Sequence, residues 1–134
     1  MKSYAYPALI TAFAVLLYVW TVVRCALSRR KHGISAPAVT GHPEFERRFR
    51  IQQNTLEQMV FFLPSLWLFS LFVSPTIGSI PGFVFIVGRL IYSLSYAHNP
   101  EWRRPGFAIG MITSMILLIG GLGGVLRLIF ANNS

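Results

Sequence analysis

Four long apolar stretches constrain what this chain can fold into. They run from about Tyr6 to Val23, from about Met59 to Val73, from about Ile80 to Ala97 and from about Gly106 to Ile129. Each reaches the roughly 20 residues that a helix needs to cross a bilayer once its flanks are included. Only 12% of the 134 residues are charged, which is about half the share of a soluble domain. The sequence therefore predicts an all-α protein, an integral membrane four-helix bundle that forms a single domain over residues 1–134.

Proline and polar residues separate these stretches. Ser74-Pro75 and Asn99-Pro100 are expected helix boundaries, because proline disfavours helix in the residue before it. The polar segment from Ser28 to Glu46 forms the remaining break. The first stretch is too long for the core of a signal peptide, and no small-residue cleavage site follows it. We therefore expect it to remain in the protein as a membrane helix.

Basic residues concentrate in two of the three gaps between the stretches, and the gap around Pro75 holds no charged residue. The positive-inside rule places both basic gaps in the cytoplasm, and a bacterial inner membrane is the expected location. The net charge of +8 follows from this topology, so nucleic-acid binding is not predicted. The basic residues are Arg24, Arg29, Arg30, Lys31, Arg47, Arg48 and Arg50 in the first gap, and Arg103 and Arg104 in the third.

A polar segment, Glu44–Gln58, leads into the second apolar stretch without a helix breaker. Within it, Arg50, Asn54 and Glu57 have i, i+4, i+7 spacing. Because successive helical residues turn by about 100°, the three side chains fall within an arc of roughly 60°. A cation, an amide and a carboxylate are therefore predicted to line one face of a long second helix.

The third stretch carries a similar stripe, formed by Arg89, Tyr92 and Tyr96. Polar groups inside a membrane are costly and usually functional, so both stripes are candidate site residues. A purely structural alternative stays open, in which Glu57 and Arg89 pair with each other because buried charges need partners.

Together the stripes predict an anionic ligand that also carries one ammonium group, since arginines dominate and Glu57 is the one carboxylate. The ligand would approach from the cytoplasmic face, where the polar ends lie. Glutathione fits, because it has two carboxylates, one ammonium and a thiol. The thiol would need an adjacent cation to ionise at neutral pH. No metal is implied.

Two neighbouring segments are distinctive: Phe45-Glu-Arg-Arg-Phe-Arg-Ile-Gln-Gln-Asn-Thr-Leu-Glu-Gln58 and Phe62-Leu-Pro-Ser-Leu-Trp67. They resemble the signature of the MAPEG family, the membrane-associated proteins in eicosanoid and glutathione metabolism. The Arg-x-x-Tyr-x-x-x-Tyr spacing of the third stretch supports the resemblance, which extends over nearly the whole chain. It implies a homotrimer of four-helix subunits that binds glutathione between neighbouring subunits.

The resemblance also implies which residues bind glutathione. Gln52 would contact it from the neighbouring subunit, and Arg89 belongs to the predicted site through its stripe. Gln58 is included too, although the leukotriene-forming enzyme of the family has tyrosine at that position, which argues against the same lipid substrate. The remaining residues implied to hold glutathione are Arg50, Asn54, Glu57, Tyr92 and Tyr96.

Arginines at the helix ends carry the implied chemistry. Arg103 matches the family's thiolate-stabilising arginine, and the adjacent Arg104 is the alternative. Only one of the two is expected to face the pocket, because neighbouring helical residues point about 100° apart. Arg29 and Arg30 match a basic pair reached from the neighbouring subunit, and Arg30 matches its proposed proton donor. Arg103 and Arg30 are therefore the predicted catalytic residues.

The sequence thus predicts a trimeric membrane glutathione transferase, or a glutathione-dependent peroxidase, that acts in detoxification. Its second substrate would be a lipophilic electrophile or hydroperoxide dissolved in the bilayer. Two alternatives stay open. One is a catalytically silent glutathione- or lipid-binding membrane protein of the same fold. The other is a small multidrug exporter, which would need a carboxylate in its first helix, where this chain has none.

Overall fold

The computed structural model describes residues 1–133, which form four long helices joined by short segments. All four helices are long and apolar enough to cross a membrane. The predicted all-α class with four membrane-spanning helices is confirmed, and the chain is an integral membrane protein. The helices are α1 (Ala5–Lys31), α2 (Pro43–Phe72), α3 (Pro75–His98) and α4 (Arg103–Asn132), with short 3-10 turns at Lys2–Tyr4 and Pro100–Trp102.

A polar cap and a proline set the start of α3. Ser74 Oγ accepts the Ile77 N–H at 3.2 Å, and Pro75 is the first residue of the helix. Proline suits a first turn, whose N–H groups have no partner inside the helix. The helix therefore begins before Ile80, where the apolar residues alone placed its start. α2 runs unbroken from Pro43, as the absence of a helix breaker predicted.

Side chains from all four helices meet in one apolar core. Phe62 of α2 stacks on Phe85 of α3 with ring centroids 3.6 Å apart and planes 5° apart. Ala14 of α1 and Leu117 of α4 are fully buried in the same cluster. Many other large apolar side chains remain exposed on the outside of the bundle. Such a surface suits contact with lipid or with other subunits rather than water.

Glycines let α4 pack closely against its neighbours. A Cβ at Gly106 would lie 2.6 Å from the Tyr92 nitrogen on α3. A Cβ at Gly124 would lie 2.6 Å from the Phe72 carbonyl oxygen on α2. The sequence of α4 contains Gly106-xxx-Gly110 and Gly120-xxx-Gly124, a spacing that is typical of closely packed membrane helices, and these contacts agree with it. The first turns of α4 are thereby held against the backbone of α3.

Four side chains connect the two ends of the segment between α1 and α2. Glu44 accepts a hydrogen bond from Lys31 Nζ at 3.3 Å and lies 3.2 Å from His32 Nε2. The rings of His32 and His42 stack with centroids 3.6 Å apart. His42 Nδ1 also accepts the Glu44 N–H at 3.1 Å, which caps α2. These contacts join the end of α1 to the start of α2.

Candidate functional site

A cavity of about 300 Å³ lies between α2, α3 and α4, at the end of the bundle where α4 begins. Every lining residue except Arg104 and Phe107 belongs to the site predicted from the sequence. The structure therefore brings together five predicted residues from three helices. The lining consists of Arg50 and Asn54 from α2, Tyr92 and Tyr96 from α3, and Arg103, Arg104 and Phe107 from α4.

The inner wall of the cavity is rigid and buried. Asn54, Tyr92 and Tyr96 are 6%, 3% and 8% exposed. The two tyrosine rings stack with centroids 5.6 Å apart and planes 19° apart, and Ile51 is buried in the same cluster. Packing of this kind holds the polar tips of these side chains in place before any ligand binds.

The rim of the cavity is cationic. The side chains of Arg50, Arg103 and Arg104 are exposed and line the opening. Among the described residues the lining contains no acidic side chain. Arginine donates paired hydrogen bonds to carboxylates and phosphates. The cavity therefore suits an anionic ligand whose charged groups meet the arginines at the water-facing side.

Behind the inner wall lies Arg89, which is 0% exposed. It donates to Asn54 Oδ1 at 2.8 Å and to Thr55 Oγ1 at 2.7 Å, and its guanidinium carbon lies 4.2 Å from the Tyr92 ring centroid. Arg89 thus contacts two lining residues from behind. Within residues 1–133 it does not pair with Glu57, which is exposed and forms no ion pair there. The structural alternative of a Glu57–Arg89 pair is therefore wrong for the single chain.

The other predicted site residues lie apart from the cavity. Gln52 is half-buried, and Glu57 and Arg30 are exposed. Arg29 donates to the Ala38 carbonyl at 2.7 Å and its guanidinium lies 4.6 Å from a phenylalanine ring centroid. A single chain therefore does not bring these four residues to the cavity.

Gln58 also lies outside the cavity. It is 1% exposed, and its amide has no hydrogen-bond partner among the described residues. Its Oε1 packs against Gly110, so a Cβ at that position would displace the Gln58 side chain. The side chain thus fills the space that this glycine leaves between α2 and α4.

Arg103 and Arg104 both line the cavity, although only one was expected to face it. They are the first two residues of α4. Both side chains are exposed, and long side chains at a helix start are free to reach round to the same opening. The expectation from helical angles was therefore wrong here, because those angles constrain the interior of a helix more than its first turn.

Two residues of the site were missed by sequence reasoning. Phe107 lines the cavity and follows Arg103 by four residues, so the i, i+4 rule for one helix face would have found it. Thr55 accepts a hydrogen bond from Arg89, but its sequence position next to Asn54 gives no such signal. Only the packing of α2 against α3 reveals that role.

The chain is similar in sequence to proteins of several organisms. It is 48% identical over 121 residues to an uncharacterized protein of Synechocystis, covering 90% of this chain and 88% of that protein. It is 37% identical over 97 residues to microsomal glutathione S-transferase 2 of Homo sapiens, covering 72% of this chain and 66% of that protein. It is 32% identical over 117 residues to leukotriene C4 synthase of Cavia porcellus, covering 87% of this chain and 78% of that protein.

A family model matches most of the chain. The model of the MAPEG family covers residues 7–123, which include every residue that lines the cavity. The match agrees with the four membrane-spanning helices and with the resemblance of the α2 segment. This chain therefore belongs to the MAPEG family.

Proposed function

We propose that this protein is a membrane glutathione transferase that binds glutathione in the cavity between α2, α3 and α4 and directs its thiolate at lipophilic electrophiles. The observation that carries the proposal is the convergence of Arg50, Asn54, Tyr92, Tyr96 and Arg103 on that one cavity. The named relatives, a microsomal glutathione S-transferase and a leukotriene C4 synthase, support the same class of reaction.

The cavity fits the anionic groups of glutathione. Arg50 offers a guanidinium at the rim, and Asn54 offers an amide at the buried wall. Tyr92 and Tyr96 add hydroxyl groups on rigid rings. In a partly dehydrated site, hydrogen bonds to charged groups are stronger than in water. These donors would hold the carboxylates and leave the thiol free to face the bilayer side.

The chemical step requires an ionised thiol, and Arg103 is the residue proposed to stabilise it. A cation within a few ångströms favours the thiolate over the thiol. The sulfur then attacks an electrophilic carbon, forms the new C–S bond and displaces the leaving group with its electron pair. Arg30 of a neighbouring subunit is proposed to give a proton to the departing or newly formed oxygen anion.

A peroxidase reaction would use the same thiolate. The sulfur attacks the terminal oxygen of a lipid hydroperoxide, and the O–O bond breaks. The lipid leaves as an alkoxide, which takes a proton and becomes an alcohol. The sulfenic acid formed on glutathione then reacts with a second glutathione thiol, which releases water and gives the disulfide. This reaction requires no further oxidant, because the hydroperoxide itself accepts the two electrons.

The active assembly is proposed to be a homotrimer with sites at subunit interfaces. The support is that Arg29, Arg30, Gln52 and Glu57 lie outside the cavity of a single chain, although the resemblance implies that they contact glutathione. A neighbouring subunit would bring Arg29, Arg30 and Gln52 to the site. Glu57 would then meet the ammonium group at the edge of the cavity.

A groove on α4 is proposed to admit the lipophilic substrate. It is an open depression of about 480 Å³ on the surface of α4, lined almost wholly by apolar side chains, among them Met111, Met115 and Ile119. The groove lies on the same helix as Arg103 and Phe107. A substrate dissolved in lipid would reach the thiolate along this helix without passing through water. The glutathione side of the site is proposed to face the cytoplasm of a bacterial cell, across its inner membrane.

The proposal is tested with purified protein in detergent. Glutathione binding is measured by calorimetry, and thiolate formation is followed by its ultraviolet absorbance on mixing. Conjugation is then assayed with chlorodinitrobenzene, and reduction with a lipid hydroperoxide. The expected result is thiolate formation together with turnover of at least one of the two substrates.

Each alternative gives a different result in the same experiment. A silent binding protein would bind glutathione without ionising it and without turnover. A multidrug exporter would show neither binding nor thiolate absorbance. Either outcome would overturn the proposed function.

A further inference from the structure

The buried cation Arg89 lacks an acidic partner within residues 1–133. Its guanidinium donates to two neutral oxygens, Asn54 Oδ1 at 2.8 Å and Thr55 Oγ1 at 2.7 Å. A buried charge is normally paired with an opposite charge, because its removal from water is costly. A cation kept at 0% exposure beside the cavity without such a partner therefore needs an explanation.

The bond to Arg89 fixes the orientation of the Asn54 amide. A guanidinium has donors only, so the atom of Asn54 that faces Arg89 must be the oxygen. The NH₂ group branches from the same carbon and is directed away from Arg89. It makes no hydrogen bond to another described residue, and Asn54 lines the cavity. Both N–H donors of the amide thus remain for a ligand.

Thr55 also helps to fix the position of Arg89. The Thr55 hydroxyl donates to the Ile51 carbonyl at 2.7 Å, so its free lone pair must accept from Arg89. On another side, the ring of Tyr92 lies against the guanidinium at 4.2 Å. Arg89 is therefore held by three contacts on α2 and α3, and it touches two walls of the cavity without lining it.

We propose that Arg89 is a positioning residue that locks Asn54 as a hydrogen-bond donor, so that the buried wall of the cavity recognises a carboxylate. This inference rests on the proposed function and adds which group of glutathione meets which wall. A carboxylate accepts from the Asn54 amide at the buried end, and the positive charge of Arg89 behind it strengthens that bond. The ammonium group is disfavoured at Asn54, because with its oxygen bound to Arg89 the amide has only N–H donors left for a ligand and a positive charge lies behind it.

A double-mutant cycle tests whether Arg89 acts through Asn54. Glutathione binding is measured by calorimetry for wild type, Arg89→Met, Asn54→Ala and the double variant. If the proposal holds, Arg89→Met weakens binding by about tenfold in the wild type, the scale of a lost charge-assisted hydrogen bond. In the Asn54→Ala background the same change has little effect. Equal losses in both backgrounds would overturn the proposal.

A second variant tests the role of the Asn54 amide even if Arg89→Met fails to fold. Asn54→Asp gives Arg89 an ionic partner and so preserves the buried contact, but it removes both N–H donors from the cavity. We expect its melting temperature to be at least that of the wild type, with glutathione binding weakened by tenfold or more. Asn54→Asp with unchanged affinity would overturn the proposal. Ser70→Ala, a buried polar change elsewhere on α2, is the matched control and should bind normally.

Glutarate, a dicarboxylate without a thiol, separates this inference from the proposed function. Wild-type protein that binds glutarate but not glutathione overturns the proposed function, and the cycle is then completed with glutarate as the probe. Wild-type protein that binds neither overturns both. Loss of glutarate binding in Asn54→Asp supports the carboxylate wall whether or not the protein is a transferase.

Discussion

Gly106 of α4 lies so close to Tyr92 of α3 that a Cβ on the glycine would stand 2.6 Å from the tyrosine nitrogen. The contact is between backbones, so no side-chain rotation can relieve it. Arg103 lies about one turn before Gly106 on α4, and Tyr92 belongs to the opposite wall of the same cavity. The distance between the arginine rim and the tyrosine wall is therefore set by the main chain.

We expect Gly106→Ala to destabilise the protein and to widen the cavity. The added methyl group would force the first turns of α4 away from α3, at about 1–3 kcal/mol for overpacking of this kind. Thermal unfolding in detergent should show a lower melting temperature, and calorimetry should show weaker glutathione binding. Gly123→Ala is the matched control, because nothing lies within 4 Å of its Cβ. Equal melting temperatures for the two variants would contradict this close approach of α4 to α3.

Replacing Arg103 by alanine should reduce ionisation of bound glutathione. An opposite charge within about 4–6 Å typically shifts a pKa by 1–3, so the apparent pKa of the bound thiol should rise by about that amount. Glutathione affinity should stay largely intact, and conjugation at neutral pH should slow. The measurement is thiolate absorbance as a function of pH.

Arg104→Ala is the matched variant for Arg103→Ala, because both side chains are exposed and both line the cavity. We expect it to change the thiolate titration little, because the resemblance to the MAPEG family assigns the thiolate-stabilising role to Arg103 and not to its neighbour. The opposite pattern, in which Arg104→Ala abolishes the thiolate and Arg103→Ala keeps it, would assign the role to Arg104.

Glu57→Gln should weaken glutathione binding and leave the fold intact. Glu57 is exposed and makes no ion pair within residues 1–133. Its replacement therefore leaves no buried cation without its partner. The loss of one charged hydrogen bond to the ligand is about 1–3 kcal/mol, measured by calorimetry. Glu46→Gln, another exposed change on α2, serves as control. If the two variants lose the same affinity, the loss comes from the change in overall charge, and Glu57 is not a ligand-binding residue.

The basic segments are predicted to face the cytoplasm, and single cysteines can test this. The buried Cys25 is first replaced by alanine. Thr76→Cys then places one exposed thiol at the start of α3, beside the short segment that joins it to α2, and Ala36→Cys places one in the loop between α1 and α2. An impermeant thiol reagent added to intact cells should label Thr76→Cys and leave Ala36→Cys unlabelled. Labelling of Ala36→Cys alone would invert the topology and move the glutathione site to the outside.

Much of the fold follows from the sequence, because its signals are local. Apolar runs give the four helices, and the unbroken polar segment gives the N-terminal part of α2. The Ser74 cap and Pro75 are local signals as well, and they place the start of α3 better than hydropathy does. Hydropathy alone misplaces helix boundaries, because a helix extends beyond its apolar part wherever capping allows it.

The site was harder to predict, because it depends on how the helices pack against one another. Arg50, Asn54 and Glu57 share a stripe on α2, yet Asn54 is buried and Glu57 is exposed. An arc of roughly 60° is enough to carry a side chain from the inner wall to the outer surface of a bundle. The partners of Arg89 could not be predicted from the sequence either. Asn54 and Thr55 contact it only because of how α2 and α3 are positioned along each other.

The length of α2 has a consequence for where two unlike reactants can meet. Its 30 residues extend about 45 Å at a rise of 1.5 Å per residue, whereas the hydrocarbon core of a bilayer is about 30 Å thick. If Phe72 ends at one face of the membrane, about 15 Å of the helix stands in the headgroups and water at the other face. That length places the boundary of the hydrocarbon near Asn54. A water-soluble peptide and a lipid-soluble acceptor would then react at a phase boundary, and neither would have to leave its own solvent.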